Sequence, residues 1–131
     1  MGISSSPIAV VRNFIAAIER KDIEIAIEML DENISYENMP TSPVIGKANV
    51  RKVLGGFLSP ATEVEWQIVS ECEIGEMVYN ERLDRFLVNG GWLELPIAGV
   101  FRVLNGRIVL WRDYFDMGTY VKQFAQLTKQ P

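Results

Sequence analysis

Four stretches of the chain repeat apolar residues at i, i+3, i+4 and i+7, the spacing that lays one buried stripe along a helix. They are Val11, Phe14, Ile15 and Ile18; Ile23, Ala26, Ile27 and Leu30; Val50, Val53, Leu54 and Phe57; and Met117, Tyr120, Val121 and Phe124. Ser6 and Pro7 supply an N-cap and a first helical residue for the first helix. Asp22 can cap the second, which makes Arg20 and Lys21 the turn of a tight helical hairpin. Pro40 and Pro43 mark an irregular loop before the third.

After the third helix the period falls from 3.6 to 2 and the composition turns to Val, Ile, Trp, Tyr and Phe. This predicts strands over 62–73, 77–88, 92–104 and 107–116, separated by Gly75, Asn89-Gly90-Gly91 and Asn105-Gly106. The last dipeptide is the strongest hairpin signal in the chain. A short strand from Ile34 to Asn38 precedes them. With no helix between the long strands, neighbours run antiparallel as a meander. The expected fold is α+β: a strongly twisted antiparallel sheet covered on one face by the N-terminal helices, with a C-terminal helix and a concave end for a ligand.

Length and composition narrow the function. At 131 residues the chain is the size of one domain, read as spanning 1–131. Apolar residues at 48% and charged residues at 23% are globular values. No apolar run approaches the ~20 residues of a membrane helix. Thirteen basic against seventeen acidic residues give a net charge of −4, and no basic run is present to neutralise a phosphate backbone, so neither nucleic acid nor a membrane is an expected partner. A lone Cys72 cannot form an internal disulfide. Without a secretory start as well, the expected location is cytoplasmic. Met1 to Ser6 fit the loose N-myristoylation pattern at Gly2, but no polybasic segment follows, and a disordered start is the better reading. Most informative is the absence of histidine, which removes Ser-His-Asp and Cys-His machinery and the commonest zinc sites. Acid–base chemistry here falls to carboxylates, Tyr, Lys or the cysteine.

Three polar groups interrupt the strands. In the last strand, alternation puts Val109, Trp111, Asp113 and Phe115 on one face and Ile108, Leu110, Arg112 and Tyr114 on the other. Asp113 then sits among aromatics, where a carboxylate needs a cation or takes up a proton. A solvated carboxylate at a strand end fits the residues equally well. In the second long strand Arg82 and Asp84 share a face with Val78, Phe86 and Val88; on spacing alone a solvated cross-strand ion pair is the more common arrangement. On the short strand Tyr36 and Asn38 share a face and can hold a water by donating and accepting, although an ordinary edge pair is the simpler reading.

Taken together the motifs Tyr36-x-Asn38-Met39-Pro40, Tyr79-x-Glu81-Arg82-x-Asp84, Gly99-Val100-Phe101 and Trp111-Arg112-Asp113-Tyr114-Phe115-Asp116 resemble the limonene-1,2-epoxide hydrolase family, over nearly the whole chain. The resemblance implies the cone-shaped fold shared with nuclear transport factor 2 and ketosteroid isomerase. It also implies roles: Asp113 takes a proton from water, Tyr36 and Asn38 hold that water, Asp84 protonates the epoxide oxygen, and Arg82 bridges both carboxylates. Phe86, Leu95, Ile97, Phe115 and Tyr120 are the implied pocket wall. The expected substrate is a small hydrophobic epoxide with water as co-substrate, no cofactor, in a homodimer. Three alternatives remain: a steroid isomerase, although Val11 to Ile18 offer no Tyr; a polyketide cyclase-like enzyme, although these often use His; and a non-catalytic binding or dimerisation module, which has no need of three charges in an apolar cone.

Overall fold

Ser6 accepts a hydrogen bond from the Ala9 amide and Pro7 occupies the first turn, so the chain is committed to helix α1, Pro7–Glu19. The computed structural model describes residues 6–39 and 41–129; Gly2 and its modification pattern, and Pro40 of the first motif, lie outside them. Lys21 takes the left-handed conformation at the hairpin turn and Asp22 caps α2, Ile23–Glu28. This second helix is shorter than its stripe predicted. Met29 closes it, the Ile108 amide donates to the Met29 carbonyl, and Leu30 is already in strand β1, Leu30–Asn38. Leu30 is buried either way, so its place in the helical pattern gave no warning. A two-residue strand β2, Val44–Ile45, and helix α3, Lys47–Leu58, follow.

The long strands are β3 (Glu63–Ile74), β4 (Met77–Val88), β5 (Gly91–Leu104) and β6 (Arg107–Tyr114), and the chain continues into α4, Met117–Leu127. Asn89-Gly90 and Asn105-Gly106 all carry positive φ, the geometry their turns require. The six-stranded sheet has the order β2-β1-β6-β5-β4-β3. Strands β3 to β6 form the expected antiparallel meander, but β1 joins its free edge in parallel with β6, placing Tyr36 opposite Trp111 and Asn38 opposite Asp113. The sheet is therefore mixed.

Two bulges change which side chains face inward. In β6 the register slips at Val109, so Ile108 joins Trp111 and Asp113 on the inner face instead of lying opposite them. In β3 the slip at Val69 turns Glu71 inward, one residue out of phase with Val64 and Trp66. The core forms where α1 packs on the sheet: Phe14, fully buried, meets Trp111 edge-on at 5.0 Å and Phe101 at 6.5 Å. Helix α4 differs from its stripe, since none of its residues is buried and Val121 is exposed. Tyr120, Phe124 and Leu127 pack half-buried against the core, and the Gln123 side chain bonds the Glu94 amide and carbonyl, each at 2.8 Å, on the part of β5 that runs past the end of β6. Among the described residues no helix is long and apolar enough to cross a membrane.

The Phe14 contacts make α1 the clasp of the core. Phe14→Ala is expected to cost about 3–5 kcal/mol, read as a lower urea midpoint at unchanged m-value.

Candidate active site

The register of the sheet builds the site in rows. One runs Asn38, Asp113, Gly99, Asn80 across β1, β6, β5 and β4; another runs Leu95, Asp84, Trp66 across β5, β4 and β3. Arg82 lies on β4 between these rows, two residues from Asp84 and two from Asn80, with all three on the inner face. From there its guanidinium crosses β5 at Gly99 to reach Asp113 on β6. Gly99 is required for that crossing: a Cβ there would lie 2.4 Å from Arg82 Nη1 and 2.5 Å from Asn80 Oδ1.

Arg82, Asp84 and Asp113 are buried to within 2% exposure. Arg82 Nε and Nη2 donate to Asp84 at 3.0 and 2.9 Å, and Nη1 and Nη2 donate to Asp113 at 3.3 and 3.0 Å. Its Cζ lies 4.9 Å from the centre of the Trp66 ring, within range of a cation–π attraction. The solvated ion pair favoured by spacing alone is thus replaced by a buried carboxylate–guanidinium–carboxylate bridge. Burial works against the arginine's charge, but Asp113 and Asp84 outweigh it and raise its pKa further. For Asp84 burial dominates, opposed by Arg82 and reinforced by Asp113 and Glu19, and its carboxyl is raised to about 6. Tyr36 is held well above its ordinary range, first by burial and then by Asp113, with Asn38 and Arg82 acting the other way. Its phenol therefore keeps its proton and can donate.

These groups form the floor of a narrow pocket. Its polar lining is Tyr36, Asn38, Asp84 and Asp113, and its walls are Phe57, Trp66, Phe86, Leu95, Ile97, Phe115 and Tyr120. Every residue singled out from the sequence lines it except Arg82, which sits behind the two carboxylates. Tyr36 is fixed by stacking on Trp111 at 3.8 Å. Phe57 of α3 and Tyr120 of α4 meet edge-on at 5.5 Å across the wall. Sequence reasoning missed Phe57 and Trp66, which fit helix and strand core patterns, and Asn80, which nothing in the sequence separates from a surface amide. Gly99 stands in the sequence only as part of the Gly99-Val100-Phe101 motif, without a duty.

The family model for the limonene-1,2-epoxide hydrolase catalytic domain matches residues 5–126. Epoxide hydrolase EphG of Mycobacterium tuberculosis is 28% identical over 113 residues, which are 82% of this chain and 71% of that protein. A solved structure of an LEH-like epoxide hydrolase from M. tuberculosis superposes with a TM-score of 0.79 at 28% identity, over 92% of this chain and 90% of that one. An NTF2-like protein of unknown function from Burkholderia pseudomallei has the same fold, with a TM-score of 0.77 at 21% identity over 96% and 99% of the two chains. The cone-shaped fold expected from the resemblance is the fold observed.

Two outcomes are expected. Gly99→Ala pushes the guanidinium off its carboxylates, and displacement of about 1 Å in such a site costs roughly 10²-fold in turnover; kcat should be measured alongside thermal unfolding. Because the folded protein holds the Asp84 proton up to about pH 6 while the unfolded chain releases it near pH 4, this carboxyl contributes stability that is complete below pH ~4 and lost as pH rises through ~6, about 3 kcal/mol in all. The difference between wild-type and Asp84→Asn stability, measured by urea titration at a series of pH values, should show that falling slope.

Proposed function

The chain belongs to the limonene-1,2-epoxide hydrolase family, and from that membership we propose that it adds water to a small, largely hydrocarbon epoxide, cyclic or terpene-like, to give a vicinal diol in one concerted step. The observation that carries this is the Arg82 bridge between Asp84 and Asp113 at the floor of an apolar pocket, with Tyr36 and Asn38 on the Asp113 side. An epoxide is already strained, so opening it needs a nucleophile at carbon and a proton for the departing oxygen. Asp113 accepts a proton from a water held by Tyr36 and Asn38 as that water's oxygen bonds to an epoxide carbon. The carbon–oxygen bond breaks toward the Asp84 carboxyl, which gives its proton to the oxygen. No atom of the protein becomes bonded to substrate, and neither metal nor organic cofactor is needed.

The two carboxylates must hold different charges, one anionic and one neutral. The raised Asp84 carboxyl suits it to be the donor, and Asp113, which accepts two hydrogen bonds from Arg82, is the acceptor in this reading. Each positioned proton transfer contributes about 10²–10⁴ in rate. After turnover the proton sits on Asp113 and Asp84 is bare; Arg82 donates to both and has no acceptor with which to relay it, so the cluster resets by returning one proton through water. Phe86, Leu95, Ile97, Phe115 and Tyr120 select substrate by shape, joined by Phe57 and Trp66. The same proposal includes a homodimer formed on the outer sheet face, where Tyr79 and Tyr114 are exposed.

Asp113→Asn and Asp84→Asn are each expected to lower kcat by at least ~10³ while circular dichroism stays that of the wild type; full diol formation by either variant would assign the roles elsewhere. In a single turnover in ¹⁸O-water the label should appear in the diol at once. Label entering an aspartate first would mean an ester intermediate.

A further inference from the structure

Arg82 offers five N–H donors, and four end on the two carboxylates. The fifth, on Nη1, ends on Asn80 Oδ1 at 3.1 Å. A guanidinium has no acceptor, so the amide must turn its oxygen to Arg82 and its NH2 group away. Asn80 is 6% exposed, and its Nδ2 has no partner among the described residues. Its register partner in β3 is Glu71, brought inward by the bulge at Val69. Glu71 Oε1 is taken by Arg12 Nε at 2.6 Å, while Oε2 is buried and without a partner among the described residues. Glu71 and Asn80 both line a second cleft, whose other walls include the outward-facing Ser70, Tyr79, Glu81 and Ala98. The unsatisfied amide donor and the unsatisfied carboxylate oxygen lie on facing residues without bonding one another, and one bridging water would satisfy both.

We propose that Asn80 is a positioning residue: the neutral fifth anchor of the Arg82 guanidinium, aimed by Glu71, whose lack of charge keeps the cluster at one exchangeable proton. Its effect on turnover rests on the hydrolase function proposed above; its effect on proton count does not. The charged and titratable groups around the cluster are Tyr36 on β1, Asp113 on β6, Arg82 and Asp84 on β4, Glu71 on β3, and Arg12 and Glu19 on α1. With one cation and two carboxylates, a single proton leaves Arg82, Asp84 and Asp113 neutral in sum. A third carboxylate at position 80 would add an anion in a dry site, and the cluster would hold its proton to higher pH. An apolar residue there would strand one guanidinium donor and let the cation swing.

The test compares Asn80→Asp, Asn80→Ser and Asn80→Ala in the full chain, by carboxyl ¹³C NMR titration of aspartate-labelled protein and by the pH profile of kcat/KM for a small epoxide. In Asn80→Asp the Asp84 titration midpoint and the alkaline limb of the profile should both move up by about one unit or more. Asn80→Ala should lower kcat about tenfold or more at unchanged KM, while Asn80→Ser, a neutral acceptor, keeps the wild-type midpoint and more of kcat. An unmoved midpoint in Asn80→Asp, or equal kcat in the Ser and Ala variants, overturns the assignment; should the Asp variant fail to fold, the Ser and Ala comparison decides alone. A moved midpoint in a protein whose wild type forms no diol supports the anchor and removes only the hydrolase.

Discussion

The structure depends on keeping one guanidinium and two carboxylates out of water. Moving a single ion into a protein interior costs several kcal/mol even after relaxation, and the attraction between ions repays this only when every donor and lone pair is used. Here all five Arg82 donors are used, three partners share them, and Trp66 covers one face of the cation. Apolar residues of equal volume would make a more stable core at this place. The sheet instead spends its centre on charge, and that is the mark of a site kept for chemistry.

That constraint fixes the architecture around it. The cation starts on β4 and ends on β6, so β5 must pass beneath without a side chain at Gly99. Asp113 takes its polar neighbours from the strand on the other side of β6. The parallel pairing of β1 supplies them, setting Asn38 level with Asp113 and Tyr36 level with Trp111. Trp111 in turn is held by Phe14 and Phe101, so the aromatic core under α1 is also the mount that orients Tyr36.

Much of this was legible in local pattern. Ser6-Pro7 and Asp22 mark helix starts because they satisfy backbone groups within one turn, and Asn89-Gly90 and Asn105-Gly106 mark hairpins because few other residues accept their φ angles. Those signals are local, and so are the long strands between them. What the sequence hid is long-range or one residue wide. The partner of β1 is decided by which edge the meander leaves free, and neither strand carries a mark of it. The bulges at Val69 and Val109 reverse the facing of everything beyond them, yet both residues are ordinary strand valines. The end of α2 was obscured because Leu30 satisfies the helical stripe and the strand alike. Among the site residues, Asp113, Asp84 and Tyr36 stood out as polar groups in apolar runs, whereas Asn80 is notable only for what Arg82 does in three dimensions.

The division of labour between the carboxylates follows from surroundings and not from the bridge itself. Each accepts two hydrogen bonds from Arg82, at nearly matched distances, so the guanidinium favours neither strongly. The difference lies beyond it. Asp84 is flanked across the strands by Leu95 and Trp66, accepts from no side chain but Arg82 among the described residues, and feels Glu19 from the end of α1. Asp113 sits level with Asn38 and near the Tyr36 phenol, whose proton burial makes hard to remove. An anion is better solvated beside those donors than against leucine and indole, and the Asp84 carboxyl is accordingly raised by its burial. A nearly symmetric clamp becomes an unequal pair because one of its arms opens on polar neighbours and the other on apolar ones, and the proposed opening of an epoxide by water draws on that inequality.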